Sequence, residues 1–308
     1  MARFLAGRLL MGLLAILATT VAVTLLIHLV PGDPVQIMYA QSQGTTPEQL
    51  AEMRHMLGLD RPILEQWLRF VLHLLHGDLG VTIRGQQPVA QLILQRLPNT
   101  LALAAASMAI ATAIGLPVGF AAAWWRGRWA DTALMTVAIA GVSVPHFWLG
   151  LILMSVFAVQ LEWLPVGGTG WAGLILPAAT LGLSNAAIVA RMTRSAMIEV
   201  MSQDFVRTAY AKGLLRALVL RRHVLRAGLV PVVTMMAMQF AYMMGGAIVV
   251  ENIFAWNGIG RLAIEAIFQR DYPVIQGFIL VFATTVITVS ILLDLLYAVL
   301  DPRIRVRG

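Results

Sequence analysis

Six long stretches without a single Lys, Arg, Asp or Glu constrain what this chain can fold into more than any other feature. They are Leu9–Val30, Leu101–Trp125, Thr132–Leu161, Trp171–Ala190, Ala227–Val250 and Val274–Leu293. Each reaches the roughly 20 residues that a helix needs to cross a bilayer. His28 and His146 are the only side chains in them that titrate readily near neutral pH. Only 12% of all residues are charged, against about 25% in a soluble domain. The expected fold class is therefore all-α: a polytopic membrane protein of six transmembrane helices, forming one transmembrane domain over residues 1–308. The formal charge of +7 does not point to nucleic acid, because the basic residues cluster at the ends of the apolar runs. With no cysteine in the chain, disulfides and thiolate metal sites are excluded.

Orientation follows from the basic residues. The first run follows Arg3 and Arg8 as a signal peptide would, but it is longer than a cleavable apolar region and lacks a small-x-small site before Pro31. It reads as an uncleaved span. With the N-terminus inside, 15 of the 22 Lys and Arg residues fall on cytoplasmic segments. Most of the others lie in one long loop, where the rule is weak. Both termini are expected in the cytoplasm.

Two segments outside the spans carry structure of their own. Residues 31–98 read as a helical extracytoplasmic insertion. Thr46-Pro-Glu-Gln49 is a capping-box pattern that opens a helix ended by Gly58. A second helix follows Pro62, with Leu64, Trp67, Val71 and Leu74 as its apolar stripe and Gly77 as its stop. These helices either cap the bundle or lie on the headgroups. In the outer stretch Glu251–Pro273, Ile253, Phe254 and Trp256 suit the membrane interface. Asn257-Gly258 makes a turn, and Arg261 to Arg270 a short amphipathic helix.

The longest polar interruption of the apolar second half runs over residues 191–226, with eight basic residues against Glu199 and Asp204. Such a loop between two spans belongs on the cytoplasmic side. Within it, Asp204 to Lys212 predicts a short helix with Asp204 as N-cap and Gly213 as its C-terminal stop. Charge alone makes this a solvated loop that sets topology. A short helix held at the ends of two spans is also placed to press on a soluble partner.

The sequence Arg207-Thr-Ala-Tyr-Ala-Lys-Gly213, followed by His223-Val-Leu-Arg226, resembles the EAA loop of ABC importer permeases of the dipeptide, oligopeptide and nickel group. Further stretches, in matching order and spacing, resemble the same family. They are Pro31-Gly-Asp-Pro34, Leu57-Gly-Leu-Asp-Arg-Pro62, Gly77-Asp-Leu-Gly80, Val144-Pro-His-Phe-Trp148, Trp163-Leu-Pro165, Ile175-Leu-Pro177, Gly245-Gly246 through Glu251-Asn-Ile-Phe254, Arg270-Asp-Tyr-Pro273 and Asp301-Pro-Arg303. Tyr210, Ala227 and Asn257 depart from the family's usual Arg, Asn and Pro. The resemblance implies a coupling helix carried by Asp204, Arg207, Thr208, Ala209, Ala211, Lys212 and Gly213. It implies a heterodimer with a homologous second permease, two ATPase subunits or domains, and an extracytoplasmic solute-binding protein. Dipeptides, oligopeptides, glutathione, opines, nickel and nickel chelates all remain open as cargo.

The chain lacks a P-loop, and Lys212 is its only lysine, so it cannot hold nucleotide phosphates as a P-loop ATPase does. It is read as a non-catalytic subunit with no cofactor of its own; ATP belongs to partner subunits. His146, Gly245, Gly246 and Glu251 are the candidates for the pathway or its gate. Gly115-Leu-Pro117-Val-Gly119 and Ser143-Val-Pro145 would kink helices or admit close backbones. Glu251 and Asp294 fall at predicted span ends, where water or an arginine would satisfy them. His73 and His76 lie i, i+3 on one helix but read as solvated, and no metal site is expected. The rival function is an ion-coupled secondary transporter, which would need Glu251, Asp294 or His146 in its pathway. An intramembrane enzyme would need clustered catalytic groups inside the spans, and no spacing of His, Ser and Asp supports a triad.

Overall fold

A computed structural model describes residues 2–29, 48, 51, 54, 55, 60–83, 85–168 and 170–300, the side chains of 2–5, 26–29 and 293–300 excepted. The predicted helix from Thr46 to Gly58 lies largely outside the described residues. So do the Pro31–Pro34 and Asp301–Arg303 motifs and the side chains of His28 and Asp294.

The described elements are helical. They are α1 (Ala2–Leu29), α2 (Ile63–Leu75), α3 (Val89–Trp124), α4 (Trp129–Ser143), α5 (His146–Gln160), α6 (Trp171–Met201), α7 (Asp204–Ala211), α8 (Arg216–Ile253), α9 (Ile259–Gln269) and α10 (Tyr272–Leu300). The second half of α5 and residues Leu220–Val224 of α8 are π-wound. Five helices are long and apolar enough to cross a bilayer alone: α1, α3, α6, α8 and α10. The pair α4–α5, bent by 98°, makes the sixth if it counts as one span. The expected kink at Ser143-Val-Pro145 is thus a full break. Proline has no N–H to give and pushes its predecessor out of the helical region; Val144 sits at φ −81°, ψ 121° and Pro145 at ψ 136°.

Two compact units make up the chain. The first comprises residues 1–98 and 258–291. Here α2 follows its predicted limits, with Pro62 at its start and Gly77 at φ +76° beyond its end. Trp67 is half-buried and its Nε1 donates to Thr20 Oγ1 of α1 at 3.0 Å. Leu64 of the apolar stripe is 66% exposed. A tight loop then sets the start of α3: Thr82 and Gln87 pair across it (2.9 Å), and Val89 N–H donates to Gly80 O (3.0 Å). Helix α3 therefore begins at Val89, well before the predicted Leu101, and runs through Pro98. At 1.5 Å per residue it is about 54 Å long, longer than a bilayer's hydrocarbon core, so its first turns carry polar residues. Asp271, buried after the left-handed Arg270, accepts the Ile83 N–H (3.1 Å) and caps the start of α10.

The second unit comprises residues 99–257 and 292–308. Its axis is α6, which packs against α4, α5 and α8. This helix is buried along most of its length, including Thr180, Ser184, Asn185 and Thr193. Close approach of α3 explains why two glycines lie one turn apart there. A Cβ on Gly119 would sit 2.3 Å from Ala190 O, and one on Gly115 would sit 2.7 Å from Ala186 O. Only glycine lets the backbones meet at such distances. The core around Leu181 and Met243 also takes in Phe254 and Trp256. That corrects their expected place at the membrane interface. Phe254 packs on Gly150 of α5, and Trp256 Nε1 donates to Asn99 O at 3.0 Å.

Candidate coupling helix and intramembrane polar groups

The polar stretch 191–226 is mostly helix. Helix α6 continues past Ala190 to Met201, and α8 begins at Arg216, leaving α7 between two short turns. The N-cap of α7 is Gln203 at ψ 150°, not Asp204, which opens the helix proper. There its carboxylate meets the positive end of the helix dipole. At the other end Lys212 is the C-cap and Gly213 takes φ +77°. Gly213 N–H donates to Tyr210 O (2.9 Å) and Leu214 N–H to Ala209 O (3.4 Å). This paired pattern is a Schellman stop, and its left-handed residue favours glycine.

Two faces of α7 differ sharply. Val206 and Ala209 are buried against Met197 and Val200 of α6 and Val219, Leu220 and Val224 of α8. The other face exposes Asp204, Phe205, Arg207, Thr208, Tyr210 and Ala211, followed by Lys212 and Gly213. Of the seven residues that the resemblance assigns to a coupling helix, Ala209 is the buried one. Arg207 lies 3.5 Å from Asp204, both largely exposed to solvent. Phe205 and Tyr210, each 42% exposed, put aromatic surface beside these charges. The base is clamped by Arg216, whose Nη2 donates to Trp124 O at 2.9 Å while its guanidinium stands 5.5 Å from the Trp124 ring centre. Such a cation over an indole face is attracted by the ring quadrupole.

Glu251 keeps its predicted place near the end of a span, but it is enclosed by protein there. Helix α8 continues to Ile253, and Glu251 is wholly buried. Its Oε1 accepts the Thr100 hydroxyl at 2.5 Å. His146 opens α5, and its buried Nδ1 has no hydrogen-bond partner among the described residues. Gly245 and Gly246 lie within α8; an added Cβ would meet nothing within 4 Å at Gly245 and Leu181 Cδ2 at 3.4 Å at Gly246. The structure does not join these four into one cluster: Glu251 is sealed in the core while Gly245 faces open space. His73 and His76 are likewise separate. Nδ1 of His76 bonds Leu72 O at 2.8 Å, whereas that of His73 lies 3.5 Å from Asp78. No group of three or more metal-ligating side chains occurs among the described residues.

Two polar pairs escape a reading of the sequence alone. Asn185 of α6 accepts a hydrogen bond from Gln239 of α8. Asp131 of α4 receives two from Arg194 of α6. The second pair had a signal: opposite charges just outside two uncharged runs, on the same predicted side of the membrane.

Several apolar spans, with a short helix held between two of them by an apolar underside, define an integral-membrane protein of the permease class. The comparisons give the particular family. Residues 115–306 match the family described as binding-protein-dependent transport system inner membrane component, and residues 1–104 match its N-terminal region. The chain belongs to this family. It is a permease subunit of an ABC importer, a multi-pass protein of the inner membrane and a non-catalytic component of its transporter. It is 43% identical over 298 residues to the glutathione transport system permease protein GsiC of Salmonella paratyphi A, covering 96% of this chain and 97% of that one. The GsiC of Escherichia coli O6:H1 matches equally over the same span. Among solved structures, an inward-facing form of the MetNI methionine ABC transporter aligns with a TM-score of 0.58 at 19% identity, covering 68% of this chain and 97% of that one. An amino acid ABC transporter aligns at 0.55 and 16%, covering 67% and 93%. These two show the fold.

Proposed function

We propose that the chain, acting as one permease domain, forms half of the pathway of an ATP-driven importer for small peptide-like solutes, with glutathione as the first candidate cargo. One observation carries the cargo reading: 43% identity to glutathione permeases along nearly the full length of both proteins. Dipeptides and oligopeptides share the amide and carboxylate chemistry of glutathione; nickel does not. The other half of the pathway is a homologous second permease, and a solute-binding protein delivers the cargo.

Helix α7 is the coupling helix. Its apolar underside fixes it to α6 and α8, while Asp204, Arg207, Thr208, Ala211 and Lys212 face the ATPase. Nucleotide binding shifts the equilibrium between two states of the bundle through contacts made differently in each. Both termini and α7 lie in the cytoplasm, and α2 lies outside. Gly245 and Gly246 line or gate the pathway, with His146 at the break between α4 and α5. Glu251, sealed in the core, holds the bundle rather than the cargo.

The test is uptake into proteoliposomes that contain this chain with its partner permease and ATPases, supplied with the binding protein and ATP. Labelled glutathione, a dipeptide and nickel are compared. Glutathione accumulation that requires ATP supports the reading. Uptake that survives without ATP and collapses with an ion gradient supports the secondary transporter, and uptake of nickel alone overturns the peptide-like cargo.

A further inference from the structure

On the side of the bundle where α6 meets α4, an open groove of about 170 Å³ runs between the two helices. Met135, Ala138, Ile139 and Val142 of α4 line one wall and Ala187 of α6 the other; Arg191 closes the end. We propose that this groove is a binding site for an anionic phospholipid, with one acyl chain along α4 and the phosphate on Arg191.

Depth is the first argument. The uncharged run of α6, Trp171–Ala190, is about 30 Å long at 1.5 Å per residue, the thickness of the hydrocarbon core. Arg191 is the next residue, so its guanidinium stands at headgroup height. Asp131, one residue before the run of α4 that starts at Thr132, meets Arg194 about one turn beyond Arg191, so the charged layer of both helices begins there. Trp125 and Trp129, 41% and 83% exposed at that end of α3 and α4, suit the interfacial belt where indoles gather.

Charge is the second. Two arginines reach the groove, but Arg194 is already engaged by both oxygens of Asp131. Arg191 is exposed and makes no ion pair among the described residues. The next acid along its own face of α6, Glu199, is two turns away, roughly 12 Å. Arg126 and Arg128 are exposed in the turn before α4, so an anion approaching this corner meets a surplus of positive charge. Basic pockets between spans are where lipid phosphates bind.

The lining decides which anion. Apart from the two arginines the walls are methyl, methylene and thioether surface, with Ala187 as the only α6 contribution before Arg191. A peptide placed here would bury amides against Ile139 and Val142 with no partners, which is unfavourable. An acyl chain loses nothing by the same burial, and a phosphate takes the guanidinium in a two-point hydrogen bond. The groove thus has the pattern of an amphiphile: apolar for its length and cationic at one end.

The assembled transporter, purified and exchanged into detergent with equal phosphatidylglycerol and phosphatidylethanolamine, tests this by native mass spectrometry of retained lipid. Wild type should retain phosphatidylglycerol about fivefold over phosphatidylethanolamine, the bias one interfacial cation gives. Arg191→Gln should bring the ratio near one. Ile139→Trp, which fills the groove and leaves the cation in place, should lower retention of both lipids in an assembly that still forms. The same ratio in Arg191→Gln and wild type overturns the proposal, as does undiminished retention in Ile139→Trp. So does an equal effect of soluble glycerol phosphate, which would make the site one for free phosphate. A benzophenone label on Val142→Cys, which on illumination inserts into C–H bonds of whatever lies against it, should crosslink to lipid; crosslinking to the second permease instead would also overturn the proposal, since the groove would then be a subunit contact.

Discussion

Arg194 on α6 grips Asp131 on α4 with two hydrogen bonds, Nε to Oδ1 at 2.6 Å and Nη2 to Oδ2 at 2.8 Å. Asp131 is almost fully buried and also accepts the Gly127 N–H at 3.1 Å. One ion pair therefore fixes the start of α4, the turn before it and the C-terminal part of α6 in a single arrangement. Bidentate pairing of this kind adds geometric specificity as well as energy.

Asp131→Asn should lower stability by about 2 kcal/mol, because it leaves a partly buried guanidinium without its counter-charge. The double variant Asp131→Asn with Arg194→Gln should recover part of that loss. Thermal unfolding of the detergent-solubilised assembly measures both. Equal stability of the single variant and wild type would show that the pair does not brace α4.

Close packing of α3 on α6 predicts a strong asymmetry among glycines. Gly119→Ala would place a methyl 2.3 Å from Ala190 O, so the helices must separate at a cost of about 2–3 kcal/mol. Gly245→Ala meets nothing within 4 Å and should leave stability unchanged while lowering uptake if that face lines or gates the pathway. Melting temperature and uptake, measured side by side, separate the two effects.

On α7, Arg207→Glu combined with Lys212→Glu reverses the exposed charge without touching Val206 or Ala209. The bundle should insert and melt normally, while cargo-stimulated ATPase and uptake fall together by tenfold or more, on the order of 1.4 kcal/mol of lost coupling. Gly213→Ala should act differently: forcing a Cβ into φ +77° costs about 1 kcal/mol and loosens the stop of the helix. Wild-type coupling in the charge-reversed protein would remove α7 from contact with the motor.

Glu251→Gln preserves shape and a hydrogen-bonding group beside Thr100, so ATP-driven uptake should persist. Glu251→Ala should destabilise the bundle by about 2 kcal/mol or more, because it opens a cavity and strips Thr100 of its acceptor. If Glu251→Gln instead abolishes uptake and leaves stability intact, the carboxylate acts in transport, as an ion-coupled mechanism requires.

His73→Ala with His76→Ala should leave uptake of glutathione unchanged, since one ring bonds Leu72 O and the other faces Asp78 at an exposed corner. A selective loss of nickel uptake in that variant would show the two histidines sharing a metal.

Local sequence determined the number of apolar spans, the short helix at Asp204–Ala211 and its stop at Gly213, and α2 between Pro62 and Gly77. The reason is that span length, helix caps and left-handed stops depend on residues a few positions apart. The tertiary structure alone decided that Glu251, Phe254 and Trp256 turn into the core, that Ala209 faces inward on a helix whose neighbours face out, and that Asp131 meets Arg194. Most of those outcomes depend on a partner far along the chain: Thr100 for Glu251, Gly150 for Phe254, Asn99 for Trp256, Arg194 for Asp131; that of Ala209 depends on how the ends of α6 and α8 fold back on α7. An apolar run looks alike on its lipid side and its core side, because both are as dry as hydrocarbon; only the packing of the other helices tells them apart.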